Sequence, residues 1–428
     1  MNFSDSEIVA SILKESDYET TNDIKSADLI LLNTCSIRDN AEQRVRHRLN
    51  ELHALKRRKP GMVIGLLGCM AERLKDKLLE EERHIDLIVG PDGYRQLPLL
   101  LEQVEGGQKA IHVLLSAEET YADISPVRTG GSGVTAFISI MRGCQNFCSY
   151  CVVPYTRGKE RSRSSKTIIA EARELFDKGF REVTLLGQNV NSYRSEENGL
   201  QIEFPSLLEQ VARIHPHLRV RFATSHPKDI SDDLLHVMAA NSNICRSIHL
   251  PIQSGSTRIL NLMNRSYTRE WYMDRIAAIK RIIPGCALST DIIAGFCSEN
   301  EDDHELTLSA MREVGYEYAF MFKYSERPNT IAAKKYPDDI PEEVKSRRLD
   351  EIIALQQELS LKSNKSDVGN TFEVLAEGVS KRSEQQLFGR TSQNKVVVFP
   401  RESYRPGDYV QVEITACTTA TLKGELLK

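Results

Sequence analysis

Along the first hundred or so residues, the apolar positions alternate between two spacings. SDSEIVASILKE has the helical spacing, capped by Ser4 or Ser6, and ADLILLNTC reads as a strand. The helix NAEQRVRHRLNELHALKR, the strand MVIGLLGC, the helix AERLKDKLLEE and the strand IDLIVG follow. Strands alternating with helices predict a doubly wound parallel α/β domain, here placed at residues 1–125. Such sheets normally begin on a strand, and this one opens on a helix, so the expectation is that the first strand is missing. A polar, glycine-bearing linker, RTGGSG, ends the domain.

The alternation resumes with longer spacing over residues 130–360. TAFISIM, EVTLLG, LRVRFAT, RSIHL, CALSTDI and YAFMFK are the predicted strands, with helices such as SSKTIIAEARELFDKG and RIAAIKRII between them. Six such units predict an incomplete (β/α)6 barrel rather than the full eightfold one. A charged helix, PEEVKSRRLDEIIALQQELSLKSNK, leads to residues 364–428, where TFEVLAEGV, QLFGRTSQNKVVVF and DYVQVEITACTTATLKGEL predict a small all-β barrel.

Composition narrows the class. The 428 residues are 40% hydrophobic and 27% charged, ordinary for a soluble globular protein of two or three domains. The longest apolar run, GMVIGLLGCM, is about half of a membrane span. With no signal segment at the start, a cytoplasmic protein with no membrane partner is expected. A net charge of −4 argues against wholesale polyanion binding, but it conceals basic clusters at KRRKP and RGKERSR.

The nine cysteines are the main chemical signal. An odd number in a large chain of this type disfavours a disulfide framework. Cys144, Cys148 and Cys151 form a C-x3-C-x2-C pattern directly after the first barrel strand, a spacing that holds iron–sulfur clusters. Three thiolates fill three corners of a four-iron cube and leave the fourth open to an amine and a carboxylate. A zinc site borrowing His226 or His249 is the alternative, although zinc motifs usually bring two C-x2-C pairs and no second pair is present. Cys35 and Cys69 each end a parallel strand, where ligands of open α/β sheets sit. At that spacing, packing and metal binding both remain open.

The cysteine pattern at the C-terminal end of the first strand of an incomplete barrel resembles the radical S-adenosylmethionine (SAM) superfamily. That resemblance implies that the open iron binds SAM, whose reductive cleavage yields a 5′-deoxyadenosyl radical. It also implies cofactor contacts from Tyr150 and from the strand ends: Gly187, Gln188 and Asn189, then Thr224 and Ser225, Gln253 and Ser254, and Asp291. Nearly the whole chain resembles the radical SAM methylthiotransferases, in LNTCSIRDNAEQRV, GCMAERL, CSYCVVPYTRGKERSR, LLGQNVNSY, HLPIQSGS and GRTSQNKVVVF. The likeness is greatest to the tRNA branch that makes 2-methylthio-isopentenyladenosine. It implies an N-terminal α/β domain, a radical SAM barrel and a C-terminal TRAM barrel.

The family holds a second 4Fe–4S cluster on three N-terminal cysteines, of which Cys35 and Cys69 match the second and third. The first lies before a Met-Asn pair with which this chain begins, so a truncated start and an incomplete second cluster are expected. The implied reaction uses one SAM to methylate a cluster-associated sulfur and a second to remove hydrogen from carbon 2 of the adenine. No acid or base can abstract that hydrogen, so no general base is assigned among the ten histidines. The resemblance further implies tRNA, a flavodoxin- or ferredoxin-like electron donor and a sulfur source as partners. Arg157, Arg161 and Arg163, and in the β-module Lys381, Arg382, Arg390 and Lys395, are expected to contact RNA phosphates. Phe399, inside KVVVF, is expected in the core. Methylthiolation of threonylcarbamoyladenosine, and a non-catalytic iron–sulfur or zinc RNA-binding protein, are the competing readings.

Overall fold

The computed structural model describes residues 1–35, 39–82, 84–128 and 133–427. Residues 36–38 of the LNTCSIRDNAEQRV motif and 129–132 of the linker lie outside the described residues. The chain packs as two units. The first comprises Met1–Thr129, Met141–Phe147 and Cys151–Arg163, and the second Gly130–Ile140, Cys148–Tyr150 and Ser164–Lys428.

In the first unit the strands Leu29–Thr34, Val63–Gly68, Leu87–Val89 and Ala110–His112 form a parallel sheet in chain order. Alternate side chains of each strand face opposite ways. Leu67, Leu87 and Val89 pack with Ile8, Ile12, Leu97 and Leu101 from the helices Asn2–Lys14 and Leu97–Glu105. Ile64, Leu66 and Ile88 pack with Leu49, Leu52, Met70 and Leu78 from Asp39–Arg58, Cys69–Leu74 and Asp76–Glu81. Helices therefore cover both faces, as the near-continuous apolar strands require.

In the second unit all six expected barrel strands form. Thr135–Ser139, Glu182–Leu186 and Arg219–Ala223 make one parallel sheet, and Ser247–His249, Ala287–Ala294 and Tyr318–Lys323 another. A parallel bridge between Val220 and Ile244 joins them, with Cys245 N–H donating to Val220 O at 2.9 Å. The long helix Glu342–Ser366 leads into a closed five-stranded barrel, Thr371–Ser380, Ser383–Thr391, Val396–Pro400, Tyr409–Cys417 and Leu422–Leu426. Phe399 is fully buried there, as its run of apolar neighbours predicts. This module is fastened to the (β/α)6 barrel within the same unit: Arg219 and Arg221 donate to the carbonyls of Arg390 and Thr391 at 2.8 and 2.7 Å. The strand Ala110–His112, the helix Leu97–Glu105 and the short pair Met141–Arg142/Arg161–Ser162 were not foreseen from the sequence, nor was the hairpin Arg194–Glu197/Leu200–Glu203. Its Asn198-Gly199 turn has both φ angles positive, the geometry that dipeptide favours.

Candidate active site

The cysteine loop begins at Gly143, whose φ of 80° is left-handed; a Cβ there would lie 1.9 Å from the Lys159 carbonyl oxygen, so only glycine fits. The next residue, Cys144, donates its N–H to Gly158 O at 3.1 Å, and Phe147 meets Tyr155 edge-on. Cys144 and Cys151 are half-buried. In the second unit, buried Ser149 donates its N–H to Met263 O and its hydroxyl to Leu262 O, which fixes the neighbouring Cys148. The Cys148 sulfur accepts a hydrogen bond from Arg265 Nη1 at 3.2 Å. Among the described residues, no three His, Cys, Asp or Glu side chains stand close enough together to form a ready-made metal site. The setting of Cys148 nevertheless suits a metal ligand, because the buried Arg265 guanidinium gives its sulfur the fixed outer-shell donor that holds such a ligand in place.

The ends of the barrel strands carry groups without partners. Gln188 Oε1, both amide atoms of Asn191 and Ser225 Oγ are buried and unbonded in the folded chain. Each such atom costs about 1–3 kcal/mol unless a ligand satisfies it. Thr224 and Gln253 hold φ angles of 75° and 69°, a conformation costly for a β-branched or long side chain. Strain and unmet hydrogen bonds thus coincide where a polar cofactor is expected, so the residues present fit SAM.

Other expected contacts are already committed. Asn189 braces the loops, donating to Asp229 at 2.6 Å and accepting from His226 N–H at 3.0 Å. Ser254 is fully buried with Thr307 and Ser256, and Asp291 lies 3.4 Å from His249. Gly187 is buried beyond its strand, and Tyr150 meets Phe296 edge-on. Burial, reinforced by Arg265 and Lys228, drives the His226 imidazole down to about 2, so it is neutral at any physiological pH. Asn191 and Arg265 were not singled out from the sequence. Asn191 lies within LLGQNVNSY, whereas Arg265 belongs to no quoted motif.

In the first unit, strand register places the other two thiols. Thr34 pairs with Gly68, so Cys35 and Cys69 each lie one residue past the paired ends of adjacent parallel strands. Gly68 has φ 89°, and a Cβ on it would meet Thr34 O at 2.6 Å. The helix Val153–Arg157 packs on the helix Cys69–Leu74, and Arg157 Nε donates to Cys69 Sγ at 3.2 Å.

This contact corrects the expected role of the cationic run. Arg157, Arg161 and Arg163 are only 3%, 6% and 5% exposed. Arg157 pairs with Asp5 at 2.7 Å, and Arg161 makes bonds of 2.9 and 3.1 Å to Asp92 and donates to Ser116 O. Guanidiniums committed inside the unit cannot clamp a phosphate. In the β-module, Lys381 and Arg382 are exposed in a turn. Lys395 is tied to Asp367 at 2.6 Å, and Arg390 to Asn394 and Glu377. The exposed pair is therefore better placed for RNA than the tethered one.

Glu72 follows Cys69 by three residues, is buried, and leaves Oε2 unpartnered. Burial, partly offset by Lys75, raises its carboxyl from 4.5 to about 7. A raised carboxyl holds its proton more tightly when folded, so its contribution to stability falls as pH rises from 4.5 to about 7. Glu72→Gln is expected to remove that fall and to stabilise the first unit at pH 8 by about 1–2 kcal/mol. Hydrogen exchange across this pH range, compared with the parent, measures it.

Residues 1–90 match the Uncharacterized protein family UPF0004, residues 138–311 the Radical SAM superfamily and residues 365–427 the TRAM domain. The solved structure of the radical S-adenosylmethionine methyltransferase TsrM from Kitasatospora setae, with cobalamin and a 4Fe–4S cluster bound, aligns with 77% of this chain and 73% of its own, at TM-score 0.58 and 14% identity. The cobalamin-dependent S-adenosylmethionine radical enzyme OxsB aligns over 83% of this chain and 53% of its own, at TM-score 0.54 and 12% identity. At these identities the likeness is one of fold. The fold and the cysteine loop thus define a radical SAM protein with a TRAM module, and such a protein carries a 4Fe–4S cluster and SAM.

Proteins named tRNA-2-methylthio-N(6)-dimethylallyladenosine synthase are similar over nearly the whole of this chain. Those of Phocaeicola vulgatus and Bacteroides thetaiotaomicron are 60% and 58% identical, over 99% of this chain and 93% of theirs. That of Porphyromonas gingivalis is 56% identical over 100% of this chain and 93% of its own. The chain belongs to the radical SAM methylthiotransferase family, and is a transferase.

Proposed function

We propose that this protein methylthiolates carbon 2 of isopentenylated adenosine beside the anticodon of tRNA. The observation that carries this reading is the similarity, over 99% of the chain, to relatives named for that product. Cys144, Cys148 and Cys151 would hold the SAM-binding cluster, and Cys35 and Cys69 would contribute to a second. When bound, the cluster and SAM supply one-electron cleavage of a sulfonium and removal of a hydrogen atom from an unactivated C–H. The chain's own residues bind and orient. Gln188, Asn191 and Ser225 offer the donors and acceptors that a polar cofactor needs, and the Thr224 carbonyl, accepting from Val190 N–H at 3.0 Å, ties the two loops that carry them. Arg157 holds Cys69 toward the helix that follows Cys151. Lys381 and Arg382 would meet RNA phosphates, with salt weakening the contact.

The setting is cytoplasmic, where tRNA, a low-potential electron donor and a sulfur source are at hand. Among the described residues, no helix is long and apolar enough to cross a membrane. The test is nucleoside mass spectrometry of tRNA from cells lacking the protein, before and after this chain is restored. Deletion should abolish 2-methylthio-isopentenyladenosine and leave isopentenyladenosine in its place, and restoration should reverse both. An unchanged level of that nucleoside, with loss of methylthiolated threonylcarbamoyladenosine instead, would assign the enzyme a different substrate.

A further inference from the structure

Arg265 is a buried cation that pairs with no carboxylate among the described residues. It follows the helix Thr257–Leu262, which ends in a left-handed Asn264 with Arg265 N–H donating to Leu260 O at 2.8 Å and Asn264 N–H to Asn261 O at 3.0 Å. This helix stop turns the side chain of Arg265 inward. There Nε donates to Tyr267 Oη at 2.9 Å, Nη2 to Pro251 O at 3.1 Å and Nη1 to Cys148 Sγ at 3.2 Å, with the guanidinium over the Tyr267 ring at 5.2 Å. Among the described residues, no carboxylate forms an ion pair with it. The contrast is Arg157, equally buried and held on Cys69, which has Asp5 at 2.7 Å. A buried charge without a counter-ion is among the costliest features a fold can keep, and two carbonyl or phenol oxygens supply only dipoles. Among its described hydrogen-bond partners, the one that would carry a full negative charge as a cluster ligand is the Cys148 sulfur.

We propose that Arg265 is a positioning residue for the SAM-binding cluster: its fixed positive charge, hydrogen-bonded to the Cys148 thiolate, retains that ligand and raises the cluster's reduction potential. This rests on the reading of Cys148 as a cluster ligand. A reduced cluster carries one more negative charge than an oxidised one, so a cation at the ligand sulfur favours the reduced form. The electron needed to cleave the sulfonium is thereby easier to load. The cost of burying Arg265 is offset only when the cluster is in place, which ties cluster retention to the same side chain.

The test uses the full chain with Cys35→Ala and Cys69→Ala, so that only the loop cluster remains, reconstituted anaerobically and titrated by electron paramagnetic resonance. Arg265→Gln should move the midpoint potential in the negative direction, and Arg265→Lys in the same direction by less. A midpoint unchanged in both, with iron content and circular dichroism like the parent's, overturns the proposal. Should Arg265→Gln fail to fold, Arg265→Lys decides alone: a negative shift supports the proposal and an unchanged midpoint refutes it. Should the parent itself hold no iron, the cluster reading of Cys148 is what fails, which separates the two claims.

Discussion

Asp5→Ala is expected to destabilise the first unit by about 3–5 kcal/mol, an effect large enough to unfold a marginal domain. Asp5 is completely buried and bridges two equally buried guanidiniums, with Oδ1 2.9 Å from Arg142 and Oδ2 2.7 Å from Arg157. Burial alone would raise its carboxyl, but the two arginines more than reverse that and hold it below the usual range. Removing the carboxylate strands two positive charges. Arg142 would keep the Pro91 carbonyl at 3.1 Å, the Tyr121 ring and a distant Asp92, and Arg157 the Cys69 sulfur. Neither set replaces a shared anion, so the penalty is that of an uncompensated buried charge rather than of one lost hydrogen bond. Fluorescence will not report it, because the single tryptophan, Trp271, belongs to the second unit. Hydrogen exchange in peptides of the Leu29–His112 sheet will, as protection lowered roughly 100- to 5,000-fold while the second unit keeps its own. Equal protection in parent and variant would mean the network contributes little.

The same network explains why one part of the site was legible in the sequence and another was not. Strand identity depends on local apolar runs, so all six barrel strands and the first three strands of the parallel N-terminal sheet follow from the chain alone, as do the ends at which Cys35, Cys69, Gln188 and Ser225 sit, whereas the three-residue strand Ala110–His112 is too short to stand out. What a charged side chain faces depends on long-range contacts. RGKERSR looks like a solvated basic face, yet Arg157 reaches Asp5 and Arg161 reaches Asp92, partners 152 and 69 residues away along the chain. A buried ion pair has no periodicity to betray it. A clue was present in the N-terminal helix, where SDSEIVASILK places Asp5 and Glu7 among apolar residues, and both are buried with arginine partners. Asn191 and Arg265 were invisible for a related reason: each is informative only through what it lacks among the described residues, hydrogen-bond partners for both amide atoms of one and a carboxylate for the other.

Replacing Cys144, Cys148 and Cys151 together with alanine is expected to reduce release of 5′-deoxyadenosine by roughly 100-fold or more, because a cluster without thiolate ligands does not assemble. The same change should leave the fold of the second unit largely intact. Ser149 keeps its bonds to Met263, Leu262 and Ala332, and the barrel's strand bridges do not involve these sulfurs. The informative contrast is with Cys35→Ala and Cys69→Ala. Those thiols sit at the ends of a different sheet, so their loss should spare 5′-deoxyadenosine while removing methylthiolated nucleoside. Two variants that fail at different products would establish that hydrogen removal and sulfur delivery are carried by different thiols of one chain. If instead the loop variant still released 5′-deoxyadenosine at the parent's rate after reduction, SAM cleavage would not depend on the C-x3-C-x2-C thiols, and the function proposed above would lose its chemical basis.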